Sequence, residues 1–141
     1  MPALAFVVTL QSDLPDPAPA AAYAKAKTGK ALARESDRLA TAARRRNVPA
    51  LTSFLSESRE AIIAQLVADG FDPAKMRVPP ERWFAAADGL ATVRALAAHV
   101  EGALNDFKQP NPILRDLRAA EALLAAAEAA GVQFHFTSAV L

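Results

Sequence analysis

The chain has 141 residues, enough for one ordinary domain spanning 1–141. A domain of that size buries about two-thirds of its unfolded surface and needs no disulfide or metal to hold it. It contains no cysteine, which removes thiol catalysis, disulfides and every sulfur-ligated zinc site, and which suits a reducing compartment. The net charge of +1 hides an asymmetry: residues 16–46 carry eight basic and three acidic side chains, leaving eight basic against twelve acidic elsewhere.

Residues 3–10 read as a strand. The Phe6-Val7-Val8 centre is aromatic and β-branched, and the run is almost wholly apolar, as in a buried strand. It is too short, and its start too poor in positive charge, for a secretory signal. No apolar run approaches the ~20 residues of a membrane span. A soluble, cytoplasmic protein with no membrane partner is expected. Pro15, Pro17 and Pro19 then keep the chain extended.

Residues 20–46 predict one long helix, rich in alanine, lysine, arginine and leucine, with Leu32, Ser36, Leu39 and Ala43 on one stripe. Gly29 weakens its middle and marks a possible bend; Asn47 and Pro49 end it. Residues 48–55 fit a short third strand or an extended connection. Ser56 suits an N-cap for a helix bearing Ile62, Ile63, Leu66 and Val67, and Asp69-Gly70 stops it.

Residues 71–84, broken by Pro73, Pro79 and Pro80, predict short helical turns. A helix over 88–104 follows, with an apolar stripe of Leu90, Val93, Ala97, Val100 and Leu104. Asn111-Pro112 pairs a cap with a first-turn proline and opens the last helix, whose core face holds Ile113, Leu117, Ala120, Leu124 and Ala127. Gly131 closes it. In residues 132–140, Val132, Phe134 and Phe136 alternate with Gln133, His135 and Thr137, the clearest strand pattern in the chain. The two terminal strands should pair side by side, giving a mostly helical α+β domain with four to five helices packed on a small sheet.

No chemical motif is complete. Thr28-Gly29-Lys30 imitates the end of a phosphate loop, but Ala24 and Ala31 stand where that motif needs glycine and a hydroxyl. Glu57, Glu60, Asp69 and Asp72 are scattered and form no evident carboxylate pair. His99 reads as a boundary side chain on a helix flank. His135 is the better candidate, held on a strand between two core-facing phenylalanines and therefore facing the other way. Glu81-Arg82-Trp83-Phe84 holds the only tryptophan and could rim a binding site, with Trp83 supplying apolar area and Arg82 selecting an anion. The ordinary alternative makes Trp83 a structural plug over one end of the core.

Three functions follow. The first is a non-catalytic interaction or accessory module that self-associates, because the small sheet leaves uncharged edges that a second chain, or another protein partner, could cover. The second is a small-ligand-binding protein or enzyme with a site at Glu81, Arg82, Trp83 and His135. The third is a nucleic-acid binder acting through the basic helix over 25–46, with Arg44, Arg45 and Arg46 as its contacts. This third function is disfavoured, because the net negative remainder weakens the long-range field. No cofactor, metal ligand set or catalytic residue is assigned from sequence.

Overall fold

The computed structural model describes residues 4–140, so Ala3, the expected first residue of the N-terminal strand, lies outside the described residues. The N-terminal strand β1 is Leu4–Leu10 and the C-terminal strand β2 is Phe134–Val140. They pair antiparallel, in a register that sets Leu4 opposite Val140, Val8 opposite Phe136 and Leu10 opposite Phe134. Six helices among the described residues lie between them: α1 (Ala18–Ala26), α2 (Lys30–Arg34), α3 (Ser36–Arg45), α4 (Arg59–Ala68), α5 (Ala86–Gly102) and α6 (Pro110–Ala130). The architecture is therefore α+β and mostly helical, with the sheet made from the two ends of the chain. None of these helices is long and apolar enough to cross a membrane.

The core is built on α5 and α6. Ile113, Leu117, Ala120, Leu124 and Ala127 of α6 are completely buried, as are Val93, Leu96 and Val100 of α5. Small side chains let the two helices approach closely, and Arg118 of α6 bridges Glu101 of α5 and Glu121 along their rim. The inner face of the sheet, carrying Phe6, Val8, Phe134 and Phe136, closes this core. The ring of Phe134 lies directly over Gly89 of α5, where an added Cβ would stand 2.2 Å from its Cζ.

The single helix expected over 20–46 is three short ones. Lys27 is left-handed (φ 50°) and Gly29 adopts φ 118°. The Gly29 carbonyl accepts the Phe6 N–H at 3.0 Å, and a Cβ on Gly29 would meet the Phe6 carbonyl oxygen at 2.3 Å. Helix propensity is worth tenths of a kcal/mol per residue and yields here to a backbone hydrogen bond with the strand edge. The break brings Ala31 N–H onto the buried Asp116 Oδ2 at 3.0 Å, and so ties α2 to α6.

Several element bounds differ from those expected, and at Ser56 the cause is competition for backbone partners. Residues 51–54 form a 3-10 turn rather than a third strand, and Leu55 makes only an isolated bridge to Phe136. The cap of α4 is Ser58, whose Oγ accepts the Ala61 N–H. Ser56 is occupied elsewhere: its N–H donates to Phe136 O and its Oγ accepts the Arg82 N–H. α5 starts at Ala86 and stops at Gly102, leaving Leu104 exposed in a 3-10 turn. α6 starts one residue before Asn111, at Pro110. Between α4 and α5 only Pro73–Lys75 turns helically.

The edges of the sheet meet partners within the chain. On β1, Phe6 N–H bonds Gly29 O and Val8 N–H bonds the Tyr23 hydroxyl at 2.8 Å. On β2, Phe84 and Phe134 exchange both backbone hydrogen bonds, at 2.8 and 2.9 Å. Both edges of the sheet are thus partly covered by the chain itself.

Candidate functional site

An isolated bridge between Phe84 and Phe134 holds the segment before α5 against the edge of β2. With Phe84 turned inward, Trp83 and Glu81 turn to the outer face of the sheet, and Arg82 stays exposed. Phe84 packs edge-on against Phe54, with centroids 5.2 Å apart, and plugs the core. Trp83, the expected plug, is only half-buried and lies instead on the imidazole of His135, centroid to centroid 4.3 Å at 35°.

On β2 the same alternation sends Phe134 and Phe136 into the core and His135 and Thr137 to the outer face. His135 is nevertheless only 1% exposed, because Trp83 and Glu81 cover it. Its Nε2 stands 2.9 Å from Glu81 Oε2. Its Nδ1 stands 3.2 Å from Thr137 Oγ1 and 3.3 Å from the Phe136 carbonyl oxygen. Thr137 Oγ1 lies in turn 2.8 Å from Thr9 Oγ1, diagonally across the strand pair. A carboxylate, an imidazole and two hydroxyls thus form one continuous hydrogen-bonded row.

The row forms a wall of a cleft of about 490 Å³ between the outer face of the sheet and the start of α4. Glu57, Ser58, Ala61 and Gln65 face it from the other side. The cleft adjoins a second, more apolar hollow of about 300 Å³, bounded by Leu55, Ile62, Pro79, Pro80 and Arg82, and the two share Glu57 and Ser138. Two glutamates and no lysine or arginine line the first lobe. Its field favours neutral or cationic occupants over anions.

Three of the four side chains expected at this site, Glu81, Trp83 and His135, come together. The fourth, Arg82, points away: its guanidinium lies 5.2 Å over the Phe84 ring and borders only the second hollow. Thr9 and Thr137 were not legible as site residues, although the alternation that turns His135 outward does the same for Thr137. Among the described residues, no group of three or more histidine and carboxylate side chains gathers as a metal shell would.

The basic candidates lie elsewhere. Arg44, Arg45 and Arg46 are exposed at the end of α3. Arg46 Nε donates to His99 Nδ1 at 3.1 Å, and Arg45 borders a shallow groove with Arg38, His99 and Asp106. Breaking the long helix scatters its positive side chains over three short ones and sets Glu35, Asp37 and Asp106 among them.

No protein-family model, curated protein or solved structure matches this chain.

Proposed function

We propose that this protein binds a small neutral or cationic molecule in the cleft beside His135, and that His135 acts there as a general base. The observation that carries this reading is the paired bonding of the imidazole. A carboxylate can only accept, so Glu81 holds the proton on Nε2 and leaves the Nδ1 lone pair facing Thr137. An imidazole oriented in this way by a carboxylate takes up a proton at its other nitrogen. The Phe136 carbonyl beside Nδ1 can accept the new N–H, so both charge states of the ring are satisfied.

The test is a fragment screen on 15N-labelled protein with neutral and amine fragments. Shift changes should centre on Thr9, Glu81, His135 and Thr137. They should vanish in His135→Gln, whose amide can still donate to Glu81 and keep the fold. Changes centred elsewhere, or indifferent to His135→Gln, would refute the reading.

A second reading, self-association as an interaction module, is favoured by a different region. α4 buries none of its side chains fully, and Val67 on it and Phe71 and Met76 after it are 58%, 54% and 43% exposed. Apolar side chains grouped on one surface are a common mark of a protein contact. Sedimentation at micromolar concentration tests it: a dimer that Val67→Glu dissociates supports it, and a monomer of 14.9 kDa removes it.

A further inference from the structure

We infer that Thr9 and Thr137 form a one-way hydroxyl relay into His135 and that its open end, Thr9, selects ligands presenting an alcohol. The inference rests on the reading of the cleft as a ligand site. It follows from counting donors and acceptors along the row.

With Glu81 accepting from Nε2–H, Nδ1 of the neutral ring carries a lone pair and must accept. The group that reaches it is Thr137 Oγ1, so the Thr137 proton points at Nδ1. A hydroxyl has one proton, and that of Thr137 is now committed. Across the 2.8 Å contact to Thr9, Thr137 can therefore only accept, and the Thr9 proton points at Thr137. Thr9 is left with lone pairs and no free proton, and it borders the cleft. One carboxylate at the far end thus sets the polarity of every hydrogen bond up to the ligand.

Occupants are sorted by this polarity. A hydroxyl donates to Thr9 and extends the row. An ether oxygen meets only lone pairs there, and a carboxylate meets the same lone pairs plus the charges of Glu57 and Glu81. A site built to hydrogen-bond one group rejects the analogue that lacks it far more strongly than an apolar site rejects a size change. The apolar hollow beside Leu55, Ile62, Pro79 and Pro80 offers room for a hydrocarbon body attached to that hydroxyl.

Two measurements test the inference. Imidazole 15N shifts of the free protein report the tautomer. Neutral His135 should carry its proton on Nε2, with Nδ1 an acceptor whose shift moves in Thr137→Val; a proton on Nδ1 reverses the row and overturns the inference. The second is a titration with benzyl alcohol, benzyl methyl ether and benzoate, followed at the Thr9, Thr137 and Ser138 amides. The alcohol should bind at least about tenfold more tightly than either analogue. Thr9→Ser should keep that preference and Thr9→Val should abolish it. Equal binding of alcohol and ether that still depends on His135 would refute the relay and leave the ligand site standing. No binding of any of the three, with the proton on Nδ1, would remove both.

Discussion

On the inner face of the sheet, Phe134 and Phe136 meet Val8 and the small residues of α5 and are wholly buried by shape alone. One residue along the same strand, on the outer face, His135 is equally buried, but by named partners: a carboxylate, a hydroxyl and an indole ring. The inner face tolerates any side chains of the right volume; the outer face needs particular atoms at particular distances. Substitutions on the inner face should therefore act on stability, and those on the outer face on binding.

The largest expected effect is on the inner face. Phe134→Ala removes the ring that touches Phe54, Phe84 and Phe136, and should destabilise the protein by ~3–5 kcal/mol in urea melts. A loss near 1 kcal/mol would mean that the inner face is not the main support. Next comes Tyr23→Phe, which leaves the Val8 N–H without its acceptor and should cost about 1–3 kcal/mol at neutral pH. Tyr23 also sharpens the comparison through pH. Burial raises its pKa above the ordinary 10.0, against the opposing hydrogen bond from Val8 and with help from the Asp116 charge. The folded state thus keeps a proton that the unfolded chain loses near pH 10. The stability linked to this group is complete below that pH and falls as pH rises toward the folded-state value. Tyr23→Phe should flatten this alkaline fall in melts between neutral pH and pH 11.

Trp83→Ala should cost less, about 1–2 kcal/mol, because the indole is half-buried on His135 and outside the core. The same substitution should increase the solvent exchange of the His135 ring protons, which inner-face substitutions of equal cost should not. A loss as large as that for Phe134→Ala would erase the distinction between the two faces. The smallest effect is that of Thr137→Val, which removes one hydroxyl at a partly exposed position and leaves His135 Nδ1 unpaired, expected to cost about 1 kcal/mol. If it instead unfolds the protein, the hydroxyl row is a structural girder rather than a binding surface.

Much of the frame was legible from residues alone. The apolar stripe of α6, the stop at Gly131 and the alternation over residues 134–137 are local patterns, and each recurs in the structure, although β2 begins at Phe134 rather than at 132. The outward turn of His135 was readable for the same reason. The break at Gly29 was not, because alanine and lysine on both sides favour helix and the deciding partner, Phe6, lies far off in sequence. Trp83 was misplaced because nothing local says that residues 81–84 are extended. Only the exchange of hydrogen bonds between Phe84 and Phe134 sets which of the two aromatics turns inward. Local periodicity by itself determined the long helices, the two strands and the faces they bury, since those depend on the geometry of a single element. The tertiary structure decided where the long helix breaks, which aromatic fills the core and which hydroxyls reach His135. Those outcomes depend on backbone and side-chain groups finding partners across the whole chain, and no window of sequence contains both members of such a pair.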